Sequence, residues 1–193
     1  MIIKSVEIQN FLSFYDRHFF YYPDRGLTLI IGYNFDSVDA SNDGDVLSSN
    51  GAGKTALCVA PLWCMYGILE RDIDKKDDVV NREAGKDCVV KVELEGGIRI
   101  ERGRQPNFLR LFINDEEKTF GTVSETQREI NKLIGNPQMF QRIFTLSGDK
   151  ISEFMNSFKG VRRAFIESLF GLDMFDLYRD SARDKLKETI REI

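Results

Sequence analysis

The string Gly51-Ala52-Gly53-Lys54-Thr55 constrains this chain more than any other stretch. Two glycines one residue apart permit backbone turns that a side chain forbids, and Gly53 opens GKTALCVAPLWCMYGIL, a run apolar almost all round, as a buried helix is. A loop of this kind turns N–H groups toward an anion, and the helix N-terminus adds positive potential. Lys54 can reach the β and γ phosphates of a nucleoside triphosphate, and Thr55 can hold Mg²⁺ through its hydroxyl. The candidate nucleotide-binding residues are Asn50, Gly51, Ala52, Gly53, Lys54, Thr55 and Ala56. A G-x-G-K-[ST] string arises by chance in about 1% of chains this long. The strict eight-residue pattern asks for Gly at position 48, where this chain has Ser48.

What precedes the string accounts for that departure. Ile2 to Ile8, Arg17 to Tyr22 and Leu27 to Gly32 read as strands, the last two separated by the turn Pro23-Asp24-Arg25-Gly26. LTLII is continuously apolar, which predicts a strand covered on both faces and hence an α/β core. From Asn34 to Asn50 the composition changes to Asp, Ser, Asn and Gly, the mark of a long polar loop. The expectation is a split cradle: Gly32-Tyr33-Asn34 supplies the turn next to the phosphates, and Phe35 to Ser49 are inserted before Asn50 resumes the motif.

Beyond it the spacing predicts a helix from about Gly53 to Gly67 with Pro61 in its interior. Hairpin strands follow over Cys88 to Glu95, Gly97 to Arg104 and Phe108 to Asn114. Ser124 and Gln127 are spaced as a capping box, and Asn136-Pro137 offers a second cap. The last segment reads as one long helix from about Gly160, in which Ala182, Leu186, Ile190 and Ile193 make a stripe like the first turns of a coiled coil.

Composition narrows the class. A chain of 193 residues, 42% hydrophobic and 30% charged, buries roughly 70% of its unfolded surface, which excludes a disordered tail, a collagen-like rod and a disulfide mini-protein. Twenty-seven Lys plus Arg against 31 Asp plus Glu leave −4, so nucleic acid has to be met by a local patch. No run nears the roughly 18 apolar residues of a spanning helix, so a soluble chain with no membrane contact and no secretory leader is expected. Cys58, Cys64 and Cys88 form no CxxC pair and read as buried thiols of a reducing compartment.

Several look-alikes fail on one residue each. Asp39 to Gly44 imitates half a calcium loop, but its twelfth position is Asn50 rather than Glu. Leu111 to Glu116 imitates an apolar strand ending in an acidic pair, yet Asn114 interrupts it, so Asn114-Asp115 reads as a hairpin turn. Leu146-Ser147-Gly148 imitates a phosphate-contacting LSGG signature, but Asp149 stands where the second Gly belongs. His18, the one histidine, has no nucleophile near it in sequence, and no catalytic residue is assigned in this chain.

Taken in order, four stretches resemble the N-terminal half of the SMC-like ABC ATPase heads of the SbcC type, including the large subunits of phage recombination endonucleases. They are Ile8 to Phe14, Asn50 to Thr55, Leu62 to Gly67, and Phe140 to Phe154 followed by Arg162-Arg163 and Leu169 to Leu172. The resemblance implies a P-loop NTPase, with the N-terminal lobe of an ABC-ATPase head over 1–175, including β-hairpins, and the start of a coiled-coil helix over 176–193. It implies ATP and Mg²⁺ as cofactors and places Ser13 and Phe14 near the nucleotide and Arg71 to Lys76 near base and ribose. Ser147 would stand where the family has its Q-loop glutamine, beside the metal.

The resemblance further implies a C-terminal lobe bearing the signature and the Walker B acids, missing here, as in a truncated piece or one half of a split head. Two heads would close on two ATP molecules, with a metal-dependent nuclease subunit and double-stranded DNA as partners in the cytoplasm, or the host cytoplasm if the protein is phage-encoded. The fragment alone would hydrolyse ATP negligibly. Arg99, Arg102, Arg104 and Arg110 could form a DNA-facing patch, with Arg102 and Arg104 as its chief candidates. The alternatives are an SMC-like or RecF-like DNA-binding ATPase without a nuclease, and a small P-loop nucleotide kinase.

Overall fold

Alternation along the strands separates a buried face from a solvated one. The computed structural model describes residues 2–22, 28–33, 51–69, 76–135, 137, 140, 155–169 and 172–192. Strands β1 (Ile3–Phe11), β2 (Phe14–Tyr21), β3 (Cys88–Leu94), β4 (Ile98–Arg104), β5 (Phe108–Ile113) and β6 (Glu116–Glu117) form one sheet in the order β2-β1-β3-β4-β5-β6. Every neighbouring pair is antiparallel. Val6 lies opposite Val92, Ile8 opposite Val90, and Ile100 opposite both Val92 and Leu111, so these side chains share one face. All are almost fully buried, and α1 (Lys54–Tyr66) packs over them. Helix α2 (Val123–Ile134) covers β5 and touches α1.

The other face is polar. Glu7 lies opposite Phe19 and Lys91, Lys91 opposite Glu101, and Glu101 opposite Arg110. Glu7 pairs with Arg17 at 3.0 Å and Lys91 at 3.2 Å. A sheet buried on one side and solvated on the other fits its antiparallel pairing.

The predicted helix and hairpins are present. Helix α1 is bounded by Gly53 and Gly67, both left-handed, with the Gly67 N–H donating to the Trp63 carbonyl at 2.7 Å. Asn114 and Asp115 have φ of 51° and 64° in a tight β5–β6 turn, as a hairpin reading requires and a metal-binding acidic pair does not.

Four expectations are corrected. Residues 28–33 lie outside every strand, with Leu29 79% and Ile31 62% exposed, because an apolar run becomes a strand only when a ladder accepts it, and none does among the described residues. Among the described residues of the first unit the sheet is therefore antiparallel, with helices on one face. The capping box is Thr122 with Glu125 rather than Ser124 with Gln127: the Glu125 N–H donates to Thr122 Oγ1 at 3.2 Å and the Thr122 N–H to Glu125 Oε2 at 3.1 Å. The long final helix is two helices, α3 (Lys159–Leu169) and α4 (Asp173–Glu192), with Leu172 in a turn whose N–H bonds the Glu167 carbonyl at 2.8 Å. Finally, Cys58 is exposed, whereas Cys64 and Cys88 are buried.

Contacts divide the chain into two compact units, Met1–Ile134 and Gly135–Ile193. In the second, Leu186 and Ile190 of the expected coil stripe are 60% and 63% exposed. The insertion Phe35 to Ser49, the calcium look-alike, Asn136 of the second cap and Ser147 all lie outside the described residues.

Candidate functional site

The first turn of α1 and its approach build the site. Gly51 and Gly53 have φ of 79° and 81°, a region that costs an ordinary L-residue roughly 1–2 kcal/mol, so both glycines of the motif are used for what glycine alone does freely. Gly53 caps α1 without a side-chain hydrogen bond, and no acidic residue occupies the first turn. The positive end of a helix about 20 Å long is thus not offset from within the helix. Lys54 is half-buried, Thr55 exposed and Ala56 buried, while Asn50 lies outside the described residues.

Two other segments meet this turn. A Cβ on Gly32 would stand 2.7 Å from the Ala52 Cβ and 3.2 Å from Lys54 Cγ, so glycine there permits close approach. Gly32 adjoins the phosphate motif in space although Asn50 lies 18 positions further along the sequence. From the other side, Ser13 Oγ and the Phe14 ring would lie 3.2 and 3.4 Å from a Cβ on Gly53. Of the expected split cradle, the described residues show Gly32 beside Ala52 and Lys54, while Asn34 to Asn50 lie outside them.

Two asparagines that sequence reasoning passed over hold Ser13 and Phe14 there. Asn10 Nδ2 donates to the Lys86 carbonyl at 3.0 Å, and its Oδ1 accepts the Asp16 N–H at 2.9 Å. Asn81 Nδ2 donates to the Leu12 carbonyl at 2.8 Å while its Oδ1 accepts the N–H groups of Glu83 and Ala84 at 3.0 and 3.1 Å. Backbone bonds from Leu12 to Val79 and from Asn81 to Asn10, each 2.8 Å, complete the staple. Leu12 itself has φ 51°, a strained conformation for its type, so the staple holds a bend that the chain would otherwise relax. Positive-φ tolerance at Asn10 was the one available signal. The ring of Phe11 packs on Trp63 at 5.1 Å, tying the bend to α1.

The site's donor set suits a nucleotide with its metal better than a protein-caged ion. No group of His, Cys, Asp or Glu that could hold a metal occurs among the described residues. Thr55 offers one exposed hydroxyl, which fits Mg²⁺ bound chiefly by phosphate oxygens and water. His18 is exposed at the surface, its Nε2 2.7 Å from the Tyr15 carbonyl and its ring against Phe14.

The arginines do not form one patch. Arg99 and Arg110 lie on the solvated face, where Arg99 stacks over Phe112 and Arg110 over Phe108. A shallow depression there is lined by Glu7, Glu93 and Glu101 against Lys91 and Arg99, an arrangement that does not attract a polyanion. Arg99 Nε lies 3.4 Å from Glu101 Oε1, a charge contact without hydrogen-bond geometry. Arg102 sits on the opposite, helix-covered face: its Nε donates to the Cys64 carbonyl at 2.9 Å and Nη2 to Gln127 Oε1. Gln127 Nε2 in turn donates to the Met65 carbonyl at 2.8 Å. Strand β4 and helix α2 therefore satisfy carbonyls at the C-terminal end of α1, while Arg104 pairs with Asp77. Alternation along β4 explains the split, since residues 99 and 102 necessarily point to opposite faces.

These features define a P-loop NTPase of mixed α/β architecture. The family model described as an AAA domain matches residues 5–193, and the chain belongs to that family. It is also similar, at 24% identity over 204 aligned residues, to the DNA double-strand break repair Rad50 ATPase of Sulfurisphaera tokodaii. That alignment covers 100% of this chain and 20% of the relative, so the chain spans about a fifth of the length of the curated protein it matches. No helix among the described residues is long and apolar enough to cross a membrane.

Proposed function

We propose that this chain is the ATP-binding half of an ATPase that drives a nuclease complex in the repair or recombination of DNA double-strand breaks. The observation that carries the reading is the convergence of Gly32, Ser13 and Phe14 on the first turn of α1, which no side chain caps. The name of the relative supports the repair setting.

In this reading the N–H groups from Gly51 to Ala56 hold the triphosphate, and Asn50 extends the cradle. Lys54 meets the β and γ phosphates, and Thr55 holds Mg²⁺, with Ser147 as a further candidate ligand. Mg²⁺, when bound, neutralises charge that develops on the phosphate oxygens. Ser13 and Phe14 border the nucleotide from the bend that Asn10 and Asn81 staple.

Residues 1–175 form the lobe and 176–193 begin a coiled coil. A C-terminal lobe on another segment supplies the acidic pair and the opposing signature. Two heads then close around nucleotide, and ATP acts through its higher affinity for the closed state. A metal-dependent nuclease subunit and double-stranded DNA are the partners, in the cytoplasm.

Anisotropy of a fluorescent ATP analogue with Mg²⁺ tests the core of this reading. The wild-type chain binds saturably, and Lys54→Ala weakens binding by about tenfold or more, as loss of a charge-assisted bond worth roughly 1.5–3 kcal/mol requires. Equal binding by the two proteins overturns it.

A further inference from the structure

An open cavity of about 700 Å³ lies at the other end of α1, among Gly67 and Leu69, the 3-10 turn Lys76–Val79, the β4–β5 turn and the first turns of α2. Among the described residues its charged lining is Lys76, Arg102 and Arg104, with no carboxylate. Asp77, paired with Arg104, offsets one of the three charges. In a chain of net charge −4 this is a local reversal of sign. Asn107, Ser124 and Gln127 add neutral polar groups to the same walls.

Arg102 is the unusual member. The Cys64 carbonyl and Gln127 Oε1, which accept its hydrogen bonds, are both neutral, so among the described residues its charge is met by dipoles. Loss of water around the guanidinium lowers its pKa from the ordinary value. The negative end of α1 returns part of that loss, and an anion in the cavity would return more. Gly67 lacks the Cβ that would stand 3.0 Å from Arg102 Nη1, which leaves that donor uncrowded.

We propose that this cavity binds a phosphate group, with Arg102 at its wall and Lys76 and Arg104 beside it, as a site separate from the phosphate loop at the far end of α1. A terminal phosphate, which carries up to two charges near neutral pH, suits the net two positive charges left after Asp77 better than the singly charged diester of an unbroken strand does. The source is either the free ion or the phosphorylated end of a nucleic acid. The inference does not depend on the function proposed above.

The test uses the whole chain carrying Lys54→Ala, to weaken the phosphate loop, with phosphate binding followed by ³¹P line broadening at constant ionic strength. Saturable binding is expected, and adding Lys76→Ala with Arg104→Ala should weaken it about tenfold or more, since charge-assisted contacts are lost. Circular dichroism checks that the variant is folded, and Lys76→Ala alone, at an exposed position, should give a smaller loss in the same direction. Competition by a 5′-phosphorylated but not a 5′-hydroxyl oligonucleotide supports the site with a nucleic-acid end as source. Competition by neither supports it with the free ion as source. Absence of saturable binding in the Lys54→Ala chain, or undiminished binding when Lys76 and Arg104 are removed, overturns the site. ATP binding by the wild type, measured in parallel, shows whether the phosphate loop stands or falls independently.

Discussion

Three cysteines that look alike in the sequence have different chemistry once folded. Cys64 is fully buried, with its thiol 3.1 Å from the Val90 carbonyl, and burial pushes its pKa to about 12; burial does the same to Cys88. Cys58 faces solvent on α1. A thiol reagent should therefore modify one cysteine in the native chain and all three after denaturation; three in the native state would contradict the burial. The same shifts set a pH dependence. The unfolded thiols lose protons from an ordinary value of 9.0 upward while the folded ones keep theirs to about 12, so the unfolded state binds fewer protons across that window. Stability is full below pH 9 and falls as pH rises toward 12, and Cys64→Ala should flatten the decline in melting temperature. Residue types told that a thiol, a glycine or a lysine was present; they did not tell which thiol was covered. Asn10 and Asn81 were illegible for a related reason, because each works through partners about 70 positions away in the chain.

At the scale of elements, local patterns read well where a segment chooses its own structure. The glycines bounding α1 and the period-two runs of β3, β4 and β5 are of that kind. Segments whose state depends on a distant partner read poorly. Leu29 and Ile31 have the composition of a buried strand without the ladder. Gln127 looked like half of a capping box, yet its side chain serves Met65 and Arg102 instead. Gln127→Ala should strand the Met65 carbonyl and one donor of Arg102, costing about 1–3 kcal/mol, read as a lower urea midpoint with an unchanged slope. Thr122→Ala, which removes the true cap of α2, should cost about 1 kcal/mol, whereas Ser124→Ala should cost almost nothing. Equal effects of Thr122→Ala and Ser124→Ala would return the cap to the position the sequence suggested.

For the whole molecule, the family match fixes the class, while the proposed activity needs parts that the described residues do not contain. Residues 1–193 alone should bind ATP yet show multiple-turnover hydrolysis no faster than the Lys54→Ala background. A separately expressed C-terminal lobe should restore turnover to the wild type and not to that variant. Sustained hydrolysis by the isolated chain would require an acid within it to activate water.

The exposed aliphatic run has one more consequence. Ile31 is followed directly by Gly32, whose backbone rests against Ala52 and Lys54. A partner that sheltered Leu29 and Ile31 from water would therefore sit beside the proposed phosphate site, and an assembly formed there would be a neighbour of its ligand.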